Sequence, residues 1–183
     1  MHLTIALGEL VQEAVPGRAV RSLVTRPTGA AVRSRVEARL RASEATVCFL
    51  DFAALDLIDF SCADEVVAKL LLHSSPTPER YLVLVGLHDH QDEEIDHVLR
   101  RQNLAVLAFK DHASRPRLLG AVRDDHREVF DALLDHDGPG DAHALADRLA
   151  RPVDAVADAL AALALFGVVW ASDGTYQPLV YSA

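Results

Sequence analysis

The stretch Val47-Cys48-Phe49-Leu50-Asp51-Phe52-Ala53-Ala54-Leu55-Asp56-Leu57-Ile58-Asp59-Phe60-Ser61-Cys62-Ala63-Asp64-Glu65 decides how this chain is read. Apart from Asp51, its first six residues are apolar, aromatic and β-branched, as in a buried strand of a sheet covered by helices. Beyond it, Val66, Val67, Leu70 and Leu71 recur at helical spacing and place one apolar stripe on a helix. Ser61 therefore falls where a strand hands over to a helix N-terminus. Unsatisfied N–H groups and the positive end of the helix dipole converge there, so a phosphoryl group on Ser61, or a bound anion, would be stabilised. The blander role for this serine is that of an N-cap.

Working upstream, Ala19 to Thr25 reads as a strand ending at Arg26-Pro27, and Thr28 as the cap of a helix to about Arg41. Val32, Val36 and Leu40 share one face of that helix, and arginines, Arg33 among them, crowd the other. Leu3 to Leu7 reads as a short strand or the start of a small helix, with Pro16-Gly17 as a turn. Working downstream, Ser74 to Pro78 is a loop by composition, and Tyr81 to Leu87 is another continuous apolar run. A helix follows from about Gln91 to Asn103, with acids at its start and Arg100 and Arg101 at its end, and then a strand from Leu104 to Phe109. Strands alternating with helices predict an α/β fold with a mainly parallel or mixed sheet.

The composition changes at Lys110 to Pro116, which marks a boundary: a first domain over 1–112, a linker over 113–122, and a second, mainly α domain over 123–183. Arg117–Ala121 reads as a short strand, and the second domain predicts an amphipathic helix over Arg123–Leu134 and a short helix over Ala142–Ala150 capped by Asp141. A third helix has Pro152 in its first turn, and a hairpin turns at Ser172-Asp173-Gly174.

A formal net charge of −9 over 183 residues argues against bulk-charge binding of nucleic acid. The charge is uneven. Seven arginines against three glutamates leave residues 1–42 at +4, and four arginines against eleven acids leave 123–183 at −7. Such ends attract different partners or are simply solvated. Only Cys48 and Cys62 are present, without metal-ligand spacing, which predicts a reduced protein. The first ten residues lack a basic region ahead of a long apolar run, and no stretch approaches the roughly 20 apolar residues of a spanning helix. The expectation is a cytoplasmic protein with no membrane contact.

From Leu50 to Cys62 the chain resembles STAS domains, the family of bacterial anti-sigma factor antagonists. The pattern is a strand ending in Leu50-Asp51-Phe52, a short connection, then the apolar pair Leu57-Ile58, an aspartate, a small-residue position and a phosphorylatable Ser or Thr. By that resemblance Ser61 stands at the phosphorylated position and Asp59 at the family aspartate. Cys62 departs from it, standing where the family usually has glycine. The continuation Ala63-Asp64-Glu65, with the Arg-rich helix upstream, is similar to a divergent STAS-like branch of unassigned function, over roughly residues 1–112. The element order over 117–183 resembles a winged helix, a module that serves DNA and proteins alike. In DNA-reading members the third helix carries basic or amide side chains, whereas here it carries Asp154 and Asp158, with Arg151 alone at its start.

These resemblances imply a non-enzymatic signalling protein whose STAS-type switch is Ser61. Its partner would be a protein, such as a serine kinase of the anti-sigma type, docking on Asp59, Cys62, Asp64, Glu65 and Arg33. Against this, first-turn acids such as Asp64 and Glu65 suit the dipole anyway, and Glu65 can pair with Lys69. The alternative is a transcriptional regulator whose winged helix binds DNA while the STAS-like domain senses a ligand or dimerises. Nothing in the chain predicts a cofactor or a catalytic centre: no nucleophile has an evident base, and there is no phosphate-binding loop. His88, Asp89, His90, Asp92, Glu93 and His97 lie close in sequence, but their spacing matches no known metal site, and no metal is expected.

Overall fold

Two apolar runs, Val47–Asp51 (β3) and Tyr81–Val85 (β5), become neighbouring interior strands in the computed structural model, which describes residues 1–16, 21–73, 80–111 and 113–179. They are joined in one five-stranded sheet by His2–Ala6 (β1), Ala105–Phe109 (β6) and Arg117–Gly120 (β7), in the order β1-β3-β5-β6-β7. The first four are parallel, and β7 runs antiparallel to β6. The chain is thus a mixed α/β protein. It divides into two compact units, Met1–Ala121 and Val122–Ala183. The short strand expected at Arg117–Ala121, within the stretch expected as a linker, is β7, and it extends the sheet past the polar Lys110–Pro116 segment: Leu118 and Leu119 are buried and pair with Leu107 and Val106.

In the first unit, Ile5, Leu50, Leu84 and Ala108 face one core together with residues of five helical segments. These are Leu7–Ala14 (α1), Arg26–Arg41 (α2), Phe60–Ala63 (α3), Lys69–His73 (α4) and Asp89–Arg101 (α5). Each fully buried Leu, Ile or Phe removes enough apolar surface to contribute about 1.5–3 kcal/mol. Ser22–Leu23 (β2) and Leu57–Ile58 (β4) form a separate two-stranded parallel ribbon. Leu23 and Ile58 point inward from it and are fully buried.

Several boundaries depart from the sequence expectation. Of the strand expected over Ala19–Thr25, residues 19 and 20 lie outside the described residues, and only Ser22–Leu23 pairs. The loop at 74–78 also lies outside them. α2 begins at Arg26, capped by Thr25, whose Oγ1 accepts from the Thr28 amide (3.4 Å); Pro27 fits the first turn because its missing N–H would have had no partner there. α5 starts two residues earlier than expected.

The largest departure is in the helix after Ser61. Between α3 and α4 the backbone makes a π turn over Asp64–Ala68, in which the Lys69 amide reaches back to the Asp64 carbonyl. Glu65, Val66, Val67 and Ala68 are all buried, so this segment is enclosed nearly all round instead of carrying one stripe.

The second unit consists of Asp124–Leu134 (α6), Ala142–Leu149 (α7) and Val153–Leu165 (α8), followed by the hairpin Val169–Ser172 (β8) and Thr175–Pro178 (β9). Asp141 caps α7 by accepting from the Ala144 amide (2.8 Å), and Pro152 is the residue before α8 rather than inside its first turn. Asp173 and Gly174 both have positive φ, 49° and 79°, the backbone of a tight two-residue hairpin turn.

Candidate functional site

The connection from β3 to β4 is pinned before it reaches Ser61. The Phe52 amide donates to Val85 O (2.9 Å), the Asp56 amide to Arg21 O (2.7 Å) and the Asp59 amide to Leu23 O (2.9 Å). From α5, the buried Gln91 donates Nε2 to Leu55 O (2.8 Å), and His90 Nε2 donates to Asp56 O (2.7 Å). Gln91 was visible in the sequence only as a helix-start residue; its grip on a loop 36 positions away has no local signature.

At the end of this connection Asp59, not Ser61, is the cap of α3. Asp59 Oδ1 accepts from the Cys62 amide (2.8 Å) and from the Ser61 hydroxyl (2.9 Å). The anion-ready helix start is therefore already filled by a carboxylate, which corrects the expectation that a free anion would settle there. Ser61 is half-buried, with its only hydroxyl proton committed to Asp59.

Cys62 and Glu65, expected on a docking surface, are instead internal. Cys62 is fully buried and its Sγ donates to Thr25 O (3.1 Å); burial, reinforced by the neighbouring Asp59 charge, pushes its thiol up to about 12. Gly29 of α2 lies so close that a Cβ there would stand 3.1 Å from Glu65 Cβ and 3.2 Å from Cys62 Cα. This close approach is why α2 and the Ser61 segment meet without a larger side chain between them.

Glu65 is only 3% exposed and is clasped by cations. Its Oε1 takes Arg26 Nη1 (3.0 Å) and Lys69 Nζ, and its Oε2 takes Arg33 Nε (3.4 Å). Burial opposes its charge, but the bonds from Lys69 and Arg26 and the pull of Arg33 prevail and hold the carboxyl below the usual carboxylate range. Arg33 also donates to Glu37 (2.8 Å), so this residue, expected to face a partner, is turned into the fold.

Asp64 is held from two sides, by Arg26 Nη1 (3.0 Å) and by Gln102 Nε2 of the α5 C-terminus (2.6 Å). The other arginines of α2 are largely spent internally too: Arg39 donates to Glu13 (3.0 Å), and Arg35 pairs with the same carboxylate (3.6 Å). The local excess of positive charge read from residues 1–42 is mostly answered within the unit.

Beside the exposed ion pair of Arg21 with Asp56 and the half-exposed Arg26, three apolar side chains are also open to solvent at this end. Val24, Leu57 and Phe60 are 46%, 41% and 37% exposed. Val24 follows Leu23 and Leu57 precedes Ile58, so both point away from the core that their neighbours enter. Phe60 lies edge-on to His97 (5.6 Å between centroids) and beneath the Arg101 guanidinium (5.6 Å). Compared with family models, with curated proteins and with solved structures, the chain matches none.

Among the described residues, no group of three or more His, Cys, Asp or Glu is placed to hold a metal ion. Of the histidine-rich stretch, His88 and His90 stack (6.3 Å between centroids), and Asp92 is buried and pairs with Arg117 of β7. No helix among the described residues is long and apolar enough to cross a membrane. In the second unit, the exposed residues of α8 are Asp154, Ala155, Asp158, Ala161 and Leu165, and Arg151 before it pairs with Glu128 (2.5 Å).

Proposed function

We propose that the chain is a non-enzymatic regulatory protein of the STAS-like type that acts by binding another protein. Ser61 is its switch, and the Val24–Leu57–Phe60 patch beside it is the docking surface. The observation that carries this reading is the hydrogen bond from Ser61 to Asp59 at the edge of that patch. A kinase would transfer the γ-phosphoryl group of a nucleoside triphosphate to Ser61 Oγ. The O–P bond forms, the nucleoside diphosphate leaves, and the hydroxyl proton passes to the kinase's base. Asp59 then loses the donor it was accepting and faces a group of about −1.5 to −2 charge. A surface suited to an apolar partner becomes strongly anionic, and the partner is expelled.

The resemblance to STAS domains supports the same residue in the same role, and two free, buried cysteines suit a reducing compartment such as the cytoplasm. The three-helix unit with its hairpin, read as a winged helix, is the second interaction or dimerisation module. An exposed α8 face of acids, alanines and a leucine suits protein contact better than a phosphate backbone, so the DNA-binding reading ranks behind. The test is a quantitative pull-down with the Ser61→Ala and Ser61→Asp variants. Partners retained by Ser61→Ala and lost by Ser61→Asp support the proposal; a Ser61→Asp variant that binds every recovered partner as tightly as the parent ends it.

A further inference from the structure

The arginines of this unit are not equally committed. Arg26 is shared between Asp64 and Glu65, Arg21 pairs with Asp56 (3.1 Å), Arg33 with Glu37 and Glu65, and Arg100 with Asp96 (2.5 Å). Arg101 makes no hydrogen bond or ion pair with any described residue; it is exposed, and its guanidinium rests over the Phe60 ring. Phe60 is the residue before Ser61. The next residue of α5's end, Gln102, already donates to Asp64, which stands one helical turn beyond Ser61 on a neighbouring position of the same face. The C-terminal end of α5 therefore meets the chain just before Ser61, at Phe60, and just after it, at Asp64, and it brings one cation that no described acid answers.

The geometry points to Arg101 as the receptor of a phosphate on Ser61: it leaves the Phe60 ring, pairs with the phosphoryl oxygens, and bares the aromatic face it covered. This rests on the reading of Ser61 as a phosphorylation switch and adds to it the arm that the modification moves. The direction follows from the relative strength of the contacts. A guanidinium over an exposed aromatic ring is weakly held, whereas a guanidinium and a phosphate form charge-assisted, often bidentate hydrogen bonds. Arg26 competes poorly because its Nη1 already serves two carboxylates, one of them buried. Arg101 also offsets the repulsion that the phosphate meets from Asp59. The modification then does two things at once. It adds negative charge to the patch and it changes the patch's shape, because Phe60 loses its cover.

The experiment installs phosphoserine at position 61 of the full chain by genetic encoding, so it does not depend on finding the kinase. Phosphorus NMR then follows the second ionisation of the phosphoserine in the parent and in the Arg101→Gln, Arg26→Gln and Arg100→Gln backgrounds. Removing the receptor cation raises that ionisation by about one unit in Arg101→Gln, while Arg100→Gln leaves it in place. The Phe60 ring resonances, followed in the same samples, shift on phosphorylation of the parent and barely move on phosphorylation of Arg101→Gln.

An unchanged ionisation in Arg101→Gln overturns the inference, as does a rise confined to Arg26→Gln, or loss of the native amide spectrum once phosphoserine is installed. A phosphate captured by Arg101 in a protein whose partner affinity does not change supports the inference and overturns the functional reading instead.

Discussion

Asp59 and Glu65 are carboxylates six residues apart on one segment, and their surroundings give them opposite work. Asp59 lies half-buried at the mouth of α3, where it accepts one backbone amide and one hydroxyl. Glu65 lies sealed behind it, ringed by Arg26, Arg33 and Lys69. The first site holds a single removable proton on a serine that solvent can reach. The second holds a helix to its neighbour through a buried carboxylate whose cationic partners reach in from the solvent side. The proposed modification falls beside the open carboxylate, while the closed one is tied to α2 and Lys69.

The comparison is broken most severely at Glu65. Glu65→Gln removes the anion that Arg26, Arg33 and Lys69 share, leaving Arg26 with Asp64 and Arg33 with Glu37, and costs about 2 kcal/mol in urea unfolding of the full chain. The same residue sets a pH signature. Its carboxyl is held below the usual value in the fold, so the stability it contributes is present above the unfolded value near pH 4.3 and is lost as pH falls through the lower, folded value. Thermal melts between pH 6 and pH 2 show a steeper acid loss for the parent than for Glu65→Gln; parallel curves would mean the clasp carries no such linkage.

Asp59→Ala is milder. It removes the α3 cap and costs about 1 kcal/mol, read by the same denaturation series. Cys62 sharpens the contrast from the inside. With its thiol buried and pushed up to about 12, it resists a thiol reagent at pH 8 in the folded protein and reacts only on unfolding. Ser61→Ala is the smallest, within about 0.5 kcal/mol of the parent, because Asp59 keeps the Cys62 amide. A large destabilisation by Ser61→Ala would place Ser61 in the framework and not at a switch.

How much of this was legible beforehand depended on whether a feature was local. The interior strand β5 announced itself as an unbroken apolar run, β3 as one that meets its first charge at Asp51, and the β8–β9 turn through Asp173-Gly174. The sequence also drew attention to Ser61, and the structure places that residue at a helix start as expected. What it could not convey was which residue caps: Asp59 and Ser61 are both good caps two positions apart, and backbone geometry decides between them. Nor could it convey the burial of Cys62 and Glu65. Their environment is made by α2, more than thirty residues upstream, where Gly29 lets the backbones approach, and by a π turn that adds Glu65 to the enclosed side. Arg33 reads as one more surface arginine until Glu65 is placed beside it. Arg101 reads as a dipole-matched helix end until Phe60 is placed under it.

In the proposed switch, charge at Ser61 controls a protein contact while the Glu65 clasp stays intact. The most direct measurement is a binding titration, by calorimetry or fluorescence anisotropy, of a partner recovered with the unmodified chain against chains carrying serine or phosphoserine at position 61. The account predicts at least about a tenfold loss of affinity on phosphorylation, equivalent to about 1.4 kcal/mol, with the denaturation midpoint of the chain little changed. Equal affinities for the two forms would contradict it.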